Sequence, residues 1–198
     1  TRAGSGSSDH AALLDQRDQL LERLSGFTAL TTSFAADGTV AVSLGTNPPR
    51  SFVQGGTAGT LTSATAADGT LSFAVDGQAM APSSGSLAGA SLALTELAAV
   101  RTRLDTVAAT IADAVNNAQA AGVALDGTQG QPIFSGSTAG TLQVVMAEGR
   151  GLATAPAGAG ASSRDDANLN ALRQSLAALD PAQELSGILF DVSSKVAG

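Results

Sequence analysis

From Leu92 to Ala121 the chain places an apolar residue every three or four positions, and an unbroken run of that period and length folds as a helix with one buried face. Leu97, Leu104, Ile111 and Ala118 recur every seven residues, and Val100, Val107 and Ala114 fill the intermediate positions, as in a coiled-coil seam. Ala108 and Val115 widen the stripe, which suits a bundle of several helices better than an isolated pair. Asn116 lies in the last turns, and Gly122 is expected to supply a left-handed C-cap. The segment Asp126-Gly127-Thr128-Gln129-Gly130 then reads as a glycine-shaped turn that lets Phe134 reach the core.

The remaining segments read as partners for this helix. Residues 1–6 are Gly- and Ser-rich, with Ser7 or Ser8 as the expected cap of a first helix over about 9–25. Its leucine face is expected to use Leu13, Arg17, Leu20 and Leu24 with Leu14 and Leu21 beside them, backed by Asp15, Arg17, Asp18, Glu22 and Arg23, charges that read mostly as a solvated face. Gly26 ends it, and Phe27 is expected to fold back on Leu21. From Thr28 the period changes to two. Leu30, Thr32 and Phe34, the hairpin signal Asp37-Gly38, and Val40, Val42 and Leu44 predict a β-hairpin, and Asp68-Gly69-Thr70 before Leu71, Phe73 and Val75 echoes it. A second echo, Thr57-Ala58-Gly59-Thr60-Leu61 against Thr138-Ala139-Gly140-Thr141-Leu142, suggests a strand over 142–146 in the same module; duplication and compositional coincidence both account for it. Ser83–Gly89 and Leu152–Ala161 read as connectors, the second mobile. Ser163 with Asp166 resembles a capping box opening a helix over 164–178, and Asp180-Pro181 opens another over 182–196.

The expected fold class is α+β, a bundle of long amphipathic helices with an inserted small antiparallel β module. Its segments are an N-terminal helix (1–27), a β-hairpin module (28–84), the central helix (85–122), a glycine-rich turn, strand and mobile linker (123–160), and a C-terminal helical pair (161–198).

The composition withholds most chemistry. A formal charge of −7 without a basic run opposes nucleic-acid or anionic-membrane binding, and no apolar run approaches the ~18 residues of a membrane span. The absence of Cys removes disulfides, thiolate zinc sites and cysteine nucleophiles. His10, the one histidine, reads as a surface residue, and the acidic pairs Asp15/Asp18 and Asp165/Asp166 as helix-start or solvated-face charges. The turn at 126–130 has too few oxygen ligands for an EF-hand. No enzyme activity, cofactor, metal or small-molecule substrate is expected.

One resemblance joins these segments. The run from Leu104 to Gly122, followed by Leu125-Asp126-Gly127, Gly130 and Ile133-Phe134, resembles the central signature of the flagellar hook-associated protein 1 family. The helix containing Leu14, Asp15, Arg17 and Asp18 resembles that family's first helix, and Asp165 to Leu172 is similar to its return segment, in the family's order. Where that family often has a histidine, Gln119 stands here. The resemblance implies a secreted, extracellular, non-enzymatic subunit of the bacterial flagellum. Its implied partners are further copies of itself in a ring at the hook–filament junction, the hook protein and a neighbouring hook-associated protein. The Gly/Thr/Asp-Gly hairpins support a different expectation, a β-rich adhesin or autotransporter-like passenger with little helix.

Overall fold

The computed structural model describes residues 8–197, so the expected frayed start and the Ser7 cap lie outside the described residues. The chain divides between Ala98 and Ala99 into two compact units. Helices and small antiparallel sheets occupy 45% and 21% of the chain, an α+β composition.

The first unit holds α1 (Ser8–Ser25), seven strands and the start of α2 (Gly85–Ala121). β1 (Leu30–Phe34), β2 (Val40–Leu44), β3 (Arg50–Gln54) and β4 (Thr57–Ala58) form one antiparallel meander, and β5 (Leu61–Thr65), β6 (Leu71–Val75) and β7 (Gln78–Met80) form a second. The two expected hairpins are present, with Leu30 opposite Leu44 in one and Leu61 opposite Val75 in the other. Alternate residues turn inward, so Val42 and Leu44 meet Phe73, Val75 and Met80 in one buried cluster. Each such side chain contributes about 1.5–3 kcal/mol on burial.

Helix α1 packs on that cluster through Leu21 and Leu24, and α2 through Leu87. The inward face of α1 runs through His10, Leu14, Arg17, Leu21 and Leu24, all half-buried. Leu13 and Leu20, expected on the buried side, are 64% and 63% exposed. Leu13/Leu20 and Leu14/Leu21 have the same spacing of seven, and only the position of the sheets decides between the two faces.

Two further expectations are corrected here. Phe27, expected to fold back on Leu21, stays 54% exposed. Its backbone is used instead: the Ser86 and Leu87 N–H groups donate to the Gly26 and Phe27 carbonyls, both at 3.0 Å. These bonds satisfy the first donors of α2. The helix therefore starts at Gly85, inside what composition marks as a connector. Gly85 has φ +73°, and a Cβ there would lie 2.6 Å from the Phe27 carbonyl carbon.

The second unit contains the rest of α2, four two-residue strands, a 3-10 turn at Gly149–Gly151, α3 (Ala167–Leu179) and α4 (Pro181–Ala197). The deepest residues of α2 are Ala108, Ala112, Val115 and Gln119, whereas Leu97 is 55% exposed. The positions expected only to widen the stripe thus form its centre, because close approach of the following segments selects the small side chains. Arg103 of α2 pairs with Asp191 of α4 at 2.7 Å.

Strands β8 (Gly122–Val123) and β11 (Ala155–Pro156) pair, as do β9 (Phe134–Ser135) and β10 (Gln143–Val144). The strand expected over 142–146 therefore belongs with Phe134 and not with the β module, and Thr138–Thr141 is a turn closed by the Thr138 and Thr141 hydroxyls at 2.7 Å, unlike the strand at Thr57–Ala58. The connector expected to be mobile is built into the core: Ala153 and Ala155 are each 2% exposed. At α3, Ser163 Oγ accepts the Asp165 N–H, and Asp165 accepts that of Ala167, so the helix starts at Ala167 instead of 164. Asp180 caps α4 as expected, accepting the Gln183 N–H at 3.2 Å.

Candidate assembly region

The end of α2 folds back on a glycine-rich segment, and side-chain amides hold the fold-back in place. Asn116 Oδ1 accepts the Ile133 and Phe134 N–H groups at 2.9 and 3.0 Å, and its Nδ2 donates to the Phe134 carbonyl at 2.9 Å. The amide presents one acceptor and one donor edge, so it imitates a neighbouring strand for the half-buried Phe134.

One turn further along α2, Gln119 is 1% exposed and its Oε1 accepts the Ala153 N–H at 2.9 Å. Asn168 completes the grip: Nδ2 donates to the Ala153 carbonyl at 2.7 Å and to the Ala118 carbonyl at 2.9 Å. The Ala153 residue is thereby bound through both its polar backbone groups, and α2, the β11 segment and α3 are joined without a charge. Buried polar groups left unpaired here would each cost about 1–3 kcal/mol.

Two glycines permit this approach. A Cβ at Gly122 would collide with the Asn168 amide, and one at Gly130 with the Gln119 carbonyl oxygen and, at 2.6 Å, with Ala153 Cβ. Gly122 has no positive φ and sits in β8, so the expected left-handed cap is corrected: glycine is required here for space. Gly127 does have a positive φ, +87°, at the tip of the turn.

That turn occurs three times in the chain. At Asp37-Gly38-Thr39, Asp68-Gly69-Thr70 and Asp126-Gly127-Thr128, the Asp carboxylate accepts the Thr N–H at 2.9 Å and the Thr hydroxyl at 2.7 Å. In each, the alanine two residues before the Asp pairs with the Thr carbonyl and accepts the Gly N–H. The Thr hydroxyl, then the Thr N–H, hold all three carboxyls below the usual aspartate range, with Arg150 adding a smaller effect at Asp126.

The α1 residues singled out from the sequence lie in the first unit. Leu14 is half-buried and Asp15 exposed. Arg17 is not on a solvated face: Nη1 donates to the Gly38 carbonyl at 3.0 Å, its guanidinium lies 4.8 Å from the Phe34 ring centre, and it pairs with exposed Asp18 at 2.7 Å. It clamps the β1–β2 hairpin from both turn and strand.

Asn116, Gln119, Asn168, Arg17 and the three turn aspartates hold backbone in shape. Among the described residues no group of three or more His, Asp or Glu side chains is placed to hold a metal ion. Residues 1–134, ending at Phe134, match the flagellar hook-associated protein FlgK helical domain. The chain belongs to the FlgK family. A flagellar, hook-associated structural role comes with membership, as does assembly with other flagellar components. A comparison with curated proteins returned no match. No described helix is long and apolar enough to cross a membrane. Within the FlgK signature, sequence reading singled out Asn116, Gly122, Gly127, Gly130 and Phe134, which the structure brings into one region. Gln119 and Asn168 have no task assigned from sequence; for Gln119 the available signal is an amide at the end of an apolar stripe.

Proposed function

We propose that this chain is the middle of a secreted junction subunit that joins hook to filament as a ring, contacting the hook protein below and a neighbouring hook-associated protein above. The observation that carries the reading is the family match ending on the segment that Asn116 holds. In this role Asn116, Gly122, Asp126, Gly127, Gly130 and Phe134 fix the shape of one contact region, and Leu14, Asp15, Arg17 and Asp18 fix that of α1 on its hairpin. The finer architecture belongs to the same proposal: the long helices form a bundle with the β module inserted, along the boundaries 27/28, 84/85, 122/123 and 160/161. Exposed apolar residues on α1 and α4, such as Leu20 and Phe190, support subunit packing in the full-length ring. Transmission of torque through packed surfaces needs neither catalysis nor a cofactor, nucleic acid, membrane or small-molecule substrate. The helical content of 45% weighs against a β-rich passenger.

The test is deletion of the parent gene followed by electron microscopy of the cells and an assay of the medium for filament protein. Bare hooks with shed filament protein are expected, rescued by the intact gene and less well by one carrying Gly130→Val. Normal filaments and swimming after deletion would overturn the reading.

A further inference from the structure

The three Asp-Gly-Thr turns have the same internal bonds and different surroundings. An Asp-Gly pair is the dipeptide most prone to isomerisation, because glycine leaves its own nitrogen unshielded. The Gly nitrogen attacks the Asp Cγ and loses its proton, a carboxyl oxygen leaves as water, and the succinimide is reopened by water to isoaspartate with no net change in mass. In each turn this path is opposed by bonds to both reacting groups: the Gly N–H donates to Ala35, Ala66 or Ala124 at 3.0, 2.9 and 2.9 Å, and the carboxylate is held by Thr. Reaction therefore requires the turn to open.

What covers the turns decides which opens. Over Gly38 lie Leu14 and His10, and Arg17 holds its carbonyl. Gly127 faces the Ala161 backbone, a Cβ there lying 3.2 Å from the Ala161 nitrogen, and the Ser162 N–H holds the Leu125 carbonyl at 2.8 Å. Around Gly69 nothing stands within 4 Å of such a Cβ, and the same holds at Gly77, so the two differ in what holds the Asp and not in cover. The fourth Asp-Gly pair, Asp76-Gly77, is pinned at two points, its carboxylate and its N–H both bonded to Thr60, at 2.8 and 3.0 Å. We infer that Asp68, at the uncovered tip of the β5–β6 hairpin, is the site at which the folded protein is covalently modified by isomerisation. The product inserts a methylene into the backbone beside the Thr65–Leu71 pair and loosens that hairpin.

The test is a time course of the intact chain near neutral pH and body temperature, with isoaspartate located by peptide fragmentation that distinguishes the two linkages. Asp68 is expected to convert several-fold faster than Asp37, Asp76 and Asp126, while chain unfolded in denaturant converts at all four. Asp68→Ser should remove most of the product, and Arg17→Ala should raise conversion at Asp37 without changing Asp126. Equal rates in the folded chain, a leading product elsewhere, or no product at Asp68 would overturn the inference.

Discussion

Asn116 grips Phe134 by both backbone groups at once, receiving its N–H at 3.0 Å and donating to its carbonyl at 2.9 Å, across eighteen residues of sequence. Replacing Asn116 with Ala removes these bonds and the one from Ile133, and should lower the stability of the chain by about 1–3 kcal/mol. Asp, which keeps the acceptor and loses the donor, should cost less than Ala. Urea unfolding of the three proteins checks the order.

Gly122 and Gly130 should be the least replaceable of the glycines with ordinary φ. Ala at either position drives a methyl into Asn168 or into Gln119 and Ala153, an overpacking worth about 1–3 kcal/mol or more. At Gly140 nothing lies within 4 Å, so Ala there should be within about 0.5 kcal/mol of the parent. Thermal melts of the three variants settle it; a Gly130→Ala protein as stable as Gly140→Ala would contradict the packing described.

Arg17→Lys should behave as a loss. Lysine cannot both donate to the Gly38 carbonyl and lie flat over Phe34, so a cost near 1 kcal/mol is expected, with a coupling of about 0.5–1 kcal/mol to Phe34→Leu in a double-mutant cycle.

Acid should act on the three repeated turns together. Their Asp carboxyls are held below the usual aspartate range, chiefly by the Thr hydroxyl and then by the Thr N–H. A lowered folded pKa means stabilisation that is complete above the unfolded pKa, near 3.9, and is lost as pH falls through the folded one. Carboxyl titration by carbon NMR should show each of Asp37, Asp68 and Asp126 below the usual aspartate range, and Thr39→Val, Thr70→Val and Thr128→Val should each raise only its own partner.

The legible parts of this fold are those written within a few residues. The Asp-Gly tips at 38 and 69 and the alternating strands around them needed no distant information, and the period of α2 was enough to call it a helix. The face of α1 was not legible, since the exposed Leu13/Leu20 pair and the inward Leu14/Leu21 pair have the same repeat. In the candidate region the turn at Gly127 could be read directly, while the grip on Ala153 joins it to Gln119 and Asn168, residues 34 and 15 positions away. Composition marked that segment as loose because Ala, Gly and Pro are common in linkers; here their small size is what admits them to the core.

The hydrogen bonds from Ser86 and Leu87 to Gly26 and Phe27 bring the entrance and exit of the seven-strand module together. A segment whose ends meet in this way is a cassette. Modules of other lengths and surfaces can be exchanged between Phe27 and Gly85 without altering the path of the helices that carry them, provided that each offers an apolar face to Leu21, Leu24 and Leu87.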